Sequence, residues 1–201
     1  MLSGDWSSDV CSSDLLIMII QMQGASILGN VNNITWGEIL SYNNCGLFEF
    51  KEVSAVPNGT HVELTCPVEN TYSQSGHVQV IRVPRYNTLT VDGGTITSLN
   101  WNGTSGGVVA IEVNGLTTLI NGGKIDVTGQ GFRGGLMDNQ ANYAALDFAY
   151  NNQNMGGEKG ESIAGFGPDY APLGGRYGRG APANGGGGGN AHNAGGGGGA
   201  N

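Results

Sequence analysis

The sequence predicts an all-β protein: a small antiparallel β-barrel or sheet module, then β-solenoid-like or sandwich-edge strand-turn repeats, then a glycine-rich low-complexity tail. Three observations carry this reading. Residues 16–84 alternate apolar and polar positions in runs bounded by turn residues. Residues 85–135 carry shorter runs closed by Gly-Gly or Asn-Gly, and glycine dominates much of 136–201. No run in the first stretch has a convincing helical period.

The first module opens on the apolar run "LLIMIIQMQGAS", a core strand ending at Gly24. "ITWGEILSY" leads into the turn "NNCG", and "LFEFKEVSAV" into "PNGT". "HVELTCPV" and "HVQVIRV" complete the set. Period-2 patterning between Asn-Gly or Gly turns marks antiparallel strands, and Asn-Gly suits such turns because both residues tolerate positive φ.

In the second stretch "TLTVDGGTIT" (88–97) aligns with "TTLINGGKID" (117–126), 29 residues on. Val91 then matches Ile120, and Ile96 matches Ile125. Short strands closed by glycine turns at a rough repeat suggest solenoid rungs or a sandwich edge.

The third stretch holds few core-forming residues. "GLMDNQANYAALDFAY" has apolar residues at partly helical spacing, which predicts a short helix within 136–150. Glycine accounts for 38 residues of the chain, 19 of them in 156–201, against a usual share of about 7%. Two five-glycine runs, 185–189 and 195–199, stand ten residues apart. Glycine loses the most backbone entropy on folding and offers no side chain to bury. Such a tract is either flexible or packed as extended three-residue-per-turn helices. Two runs are too few to surround each other, so residues 184–201 are expected to be disordered.

"DWSSDVCSSDL" (5–15) resembles one reading frame of a common sequencing-library adapter, so residues 1–15 are read as a non-native segment. The expectation is that they pack against nothing and that Cys11 serves no site. One thiol and three spaced Asp also make a poor zinc site. The formal charge is −8, and setting aside Asp5, Asp9 and Asp14 leaves −5. An acidic, lysine-poor chain has no basic footprint for nucleic acid and no polybasic patch for an anionic bilayer. Leu15–Ile20 is six apolar residues, far short of the roughly 20 a membrane helix needs, so no membrane insertion is expected.

Cys45 and Cys66 are expected to stay unbridged. A hairpin across Pro57-Asn58-Gly59 sets Cys66 opposite about Phe50. The five-residue offset from Cys45 spans roughly 16 Å at strand rise, against a disulfide Cα separation of about 4.4–6.8 Å.

Several motifs imitate active sites. Gly129-Gln-Gly131-Phe-Arg-Gly134 satisfies G-x-G-x-x-G, with Asp147 where a ribose-binding acid would sit. No second parallel strand follows, and a glycine-rich chain matches this pattern by chance, so no cofactor is assigned. "GTSGG" (103–107) resembles a protease nucleophile loop, but His61 and His77 lie in strand contexts rather than beside Ser105. No catalytic residue and no metal ligand is assigned; His192 is a lone histidine. Trp36 and Trp101 could stack on sugars, but core positions suit them better. Asn33, Asn58 and Asn102 each begin N-x-Thr at a turn, where Asn is expected in any case.

From Ile17 onward the chain resembles the N-terminal region of large glycine-rich, adhesin-like surface proteins of Bacteroidota, commonly exported by the type IX secretion route. The resemblance lies in "IIQMQGAS", "GEILSYNNCGLFEF", "VQVIRVPRY", "WNGTSGGVVAIEVNG", "KIDVTGQGFRGG" and "GRGAPANGGGGGNAHNAGGGGGAN". It implies an extracellular or cell-surface segment without catalytic function, truncated at both ends. The expected partner is an extracellular ligand, a surface polysaccharide or another surface protein. The other expectation is a carbohydrate-binding accessory module of a polysaccharide-active enzyme.

Overall fold

The computed structural model describes residues 15–139, 146–152, 156–190 and 193–200. The adapter-like residues up to 14, the middle of the expected helix and His192 lie outside these. Among the described residues the protein is all-β.

Strand β1 (Leu16–Gln21) is the centre of the first module. It pairs antiparallel with β4 (Phe48–Asn58) on one side and β6 (Val78–Val83) on the other, and β5 (His61–Leu64) extends the sheet beyond β4. β1 is apolar at nearly every position because it is covered on both faces. Leu16 and Met18 pack with Val83, Val108 and Ala110 on one side, and Ile17 and Ile19 pack with Val53, Leu64 and Tyr72 on the other. Leu15 joins the second cluster, so the native fold includes the last residue assigned to the adapter.

Of the two expected forms, barrel or sheet, the described residues form the open sheet. "ITWGEILSY" is the reason. Only β3 (Ile39–Ser41) is strand there, and it pairs with the short β2 (Ser26–Ile27) in a separate ribbon. The Trp36 segment is a turn whose indole leaves the first module altogether. Thr65 bonds the Glu52 carbonyl, which carries Cys66 away from Cys45, and both cysteines are free.

The second stretch makes two parallel courses. β7 (Arg85–Tyr86), β8 (Leu89–Asp92) and β9 (Thr95–Ile96) pair in parallel with β10 (Glu112–Val113), β11 (Thr117–Ile120) and β12 (Lys124–Ile125). The offset between partners grows from 27 to 28 to 29 residues, because each corner of the second course is one residue longer. Residues 93–94 face 121–123 at the second corner. The extra residue there is Gly123, whose Cβ would stand 2.0 Å from the Val91 carbonyl oxygen. The sequence alignment therefore holds at Ile96 and Ile125 but slips by one earlier: Val91 faces Leu119, not Ile120.

The third stretch departs furthest from expectation. The described residues of 136–150 form no helix. Among the described residues the one α-helix is α1 (Gly167–Tyr170), with Pro168 in its first turn, where it loses no needed N–H. The Asp169 carboxylate accepts the Phe166 N–H and closes that turn.

The glycine runs are built into the fold, contrary to the expected disorder. Phe132, Gly135 and Asp138 donate to Ala200, Gly197 and Ala194 in antiparallel order, one bond every third residue. The backbone N–H groups of Glu158 and Glu161 donate to the carbonyls of Leu136 and Arg133, and those of Gly197 and Ala200 to the carbonyls of Glu158 and Glu161, again in steps of three. Gly186 bonds Gly198, and Gly188 bonds Gly178. A period of three in segments that are neither helix nor strand identifies extended left-handed helices of three residues per turn, which satisfy their peptide groups only through neighbours. The two runs are not alone: 132–138, 156–162 and 176–180 supply the neighbours.

Candidate functional site

The site is built on Gly157-Glu-Lys-Gly-Glu-Ser162. At three residues per turn, Gly157 and Gly160 share one face, Glu158 and Glu161 a second, Lys159 and Ser162 a third. The glycine face meets bare backbone: a Cβ on Gly160 would stand 1.8 Å from the Gly198 carbonyl oxygen. The other two faces bury charge. Glu158 and Glu161 are 1% exposed and Lys159 is 0% exposed.

Glu161 is held from three parts of the chain. Its Oε1 accepts from Gln23 Nε2 (3.1 Å), Trp101 Nε1 (2.9 Å) and Arg133 Nη2 (3.0 Å). Its Oε2 accepts from Arg133 Nε (2.8 Å) and the Arg133 backbone N–H (2.9 Å). Burial works to raise its pKa, but the Arg133 and Trp101 donors outweigh it and hold the carboxyl below its ordinary range. Glu158 pairs with Arg176 and accepts the Leu136 N–H through Oε2.

Among the described residues Lys159 has no carboxylate partner. Its Nζ donates to the carbonyls of Phe148 (2.6 Å), Gly178 (2.9 Å) and Gly180 (2.7 Å), one for each ammonium hydrogen. The Trp36 ring closes the fourth side, 4.0 Å from Nζ to its centroid. Burial pushes the Lys159 ammonium down to about 7. Trp36 in turn donates Nε1 to the Leu173 carbonyl and meets Tyr170 edge-to-face at 6.1 Å. The Tyr170 hydroxyl donates its one proton to the Gly165 carbonyl, with the Gly160 carbonyl 3.2 Å away.

Chemically this arrangement is closed. The carboxylates of Glu158 and Glu161 are occupied by donors, and the Lys159 ammonium by carbonyls. Both indoles considered for sugar stacking are core residues here, Trp36 being 1% exposed and Trp101 3%. Trp101 packs edge-on against Phe132 and His77.

The imitative motifs resolve into turns. Gly129 has φ +74° in a turn closed by Gln130 bonding the Val127 carbonyl, and Phe132 then enters the glycine bundle instead of a helix. Asp147 accepts Asn32 Nδ2. The Ser105 N–H is taken by Asn102 Oδ1, and the His61 ring by Asn58 and Thr60. Among the described residues no group of three or more His, Cys, Asp or Glu is placed to hold a metal ion, and no helix is long and apolar enough to cross a membrane.

Sequence reasoning missed Glu158, Lys159 and Glu161. The signal was present: glycines and glutamates both recur at spacing three there, which is the period of the extended helix and not of an α-helix or strand. Comparison with protein-family models, curated proteins and solved structures gives no match to this chain.

Proposed function

We propose that this chain is a non-enzymatic structural and adhesive segment of a secreted bacterial surface protein. The observation that supports it most directly is Glu161. A carboxylate that gathers Gln23, Trp101 and Arg133 from three distant stretches is spent on joining them, and Lys159 is spent in the same way on three carbonyls. The charges that could do acid-base chemistry serve instead as fasteners of a rigid body. The parallel strand courses fit the same reading, as rungs of a short β-solenoid that spaces a binding surface from its anchor.

The test is incubation of the full chain with a panel of soluble surface polysaccharides, reading both gel retardation and new reducing ends. The expected result is no reducing ends at any enzyme-scale concentration. Turnover of any polysaccharide overturns the proposal. Micromolar retardation without turnover moves the assignment towards the carbohydrate-binding accessory module.

A further inference from the structure

We propose that Asn33, Asn58 and Asn102 are acceptor sites for N-linked glycans in the folded chain. Each begins an Asn-x-Thr triplet, and all three asparagines are exposed. In each the Thr hydroxyl donates to the Asn Oδ1, at 2.6 Å for Thr35, 2.8 Å for Thr60 and 2.8 Å for Thr104. The Thr backbone N–H donates to the same oxygen, at 2.8, 3.0 and 2.9 Å. Turn formation accounts for the bonds to Oδ1. It leaves Nδ2 of all three without a hydrogen bond among the described residues.

Some other exposed asparagines use that nitrogen, while Asn30, Asn87, Asn100, Asn114 and Asn184 leave it without a hydrogen bond among the described residues. Asn32, Asn43, Asn121 and Asn151 donate Nδ2 to Asp147, the Gly24 carbonyl, Asp92 and the Ala171 carbonyl. What marks the triplets is that one Thr holds the amide oxygen through both its hydroxyl and its backbone N–H, which orients the amide nitrogen beside it. The middle residue leaves room in two of the three: Ile34 is 80% exposed and a Cβ on Gly59 would touch nothing, whereas Gly103 lies against the Arg133 guanidinium.

The ligand class is a glycosyl diphosphate delivered by an external transferase. Nδ2 attacks the anomeric carbon. The new N–C bond forms as the anomeric C–O bond breaks, and the diphosphate leaves with that electron pair. The Nδ2 proton passes to a carboxylate of the transferase. Two donors on Oδ1 polarise the amide and make that proton easier to lose, which is what the Thr hydroxyl contributes.

Acceptor competence belongs to these turns and does not depend on the adhesive role, so the failure of one leaves the other standing. The test incubates the folded full chain with a lipid-linked oligosaccharide diphosphate and an oligosaccharyl transferase, and reads intact mass. The expected result is three glycan additions. Thr35→Val, Thr60→Val and Thr104→Val each remove one, and the matching Thr→Ser variants restore it. A folded chain that stays unmodified overturns the proposal, even where the urea-unfolded chain is modified. Additions that survive the Thr→Val changes overturn it too.

Discussion

Glu161 and Lys159 sit two residues apart on one extended helix, and their environments make opposite demands on pH. Glu161 is charged and fully bonded, so its folded pKa lies below the ordinary 4.5. Its contribution is complete above that value and is lost as the pH falls through the lower, folded value. Glu161→Gln places an NH2 donor among donors. The expected cost is about 3 kcal/mol, measured by urea denaturation at pH 7. Arg133 is partly exposed and screened by water, so most of that loss rests on Trp101 and Gln23. The acid-side fall in stability should also flatten in this variant. Lys159 behaves in reverse. Its folded pKa is lowered to about 7 from 10.5, so between these values the unfolded chain binds more protons and stability rises with pH. Lys159→Met should remove that rise; a wild-type and variant that change in parallel between pH 7 and 10 would contradict it.

At the scale of elements, the glycine segments separate positions that a methyl group cannot enter from positions it can. Gly160→Ala drives a Cβ to 1.8 Å from the Gly198 carbonyl, whereas nothing lies within 4 Å of a Cβ on Gly198 itself. Gly160→Ala should cost about 3 kcal/mol, the upper end of what overpacking typically costs. Gly198→Ala should lie within about 1 kcal/mol of wild type on the stabilising side, because it restricts the unfolded chain. Equal effects in thermal denaturation would refute the packing. Amide exchange gives a second reading: the N–H groups of Gly186, Gly188 and Gly197, bonded to neighbouring segments, should be protected, while unprotected amides there would mean a flexible tract. These elements also mark how far the sequence could be read. β1, β4, β5 and β6 were legible because alternation and Asn-Gly turns are local signals. The glycine bundle was not, because its extra neighbours at 132–138 and 176–180 carry no glycine run of their own. The one-residue slip at Val91 came from a corner length that no periodicity reports.

Across the whole molecule the three stretches share their cores. Ile27 and Trp36 from the first pack with Phe148, Tyr170 and Leu173 from the last. Val108 and Ala110 from the second cover the β1 sheet. Gly24 and Ala25 both bond the Ile163 carbonyl, and Gln23 Nε2 bonds the Ser162 carbonyl at 2.7 Å. Unfolding is therefore expected as one transition, with tryptophan fluorescence and far-ultraviolet circular dichroism superimposing. Deleting residues 132–201 should leave Trp36 and Trp101 bare and the remainder unable to fold cooperatively. Two resolved transitions in the full chain would argue for independent modules.

The step of three in the glycine bundle also sets which changes of length the chain can absorb. One residue inserted between Gly157 and Ser162 turns everything beyond it by a third of a revolution. Glu161 would swing off Arg133 and Trp101 and towards a face lined by backbone, and a side chain would arrive where only hydrogen fits. Three inserted residues restore the phase and merely lengthen the rod. This segment thus carries a reading frame of its own, written in protein geometry: it tolerates lengthening and shortening by triplets and is scrambled by any other shift.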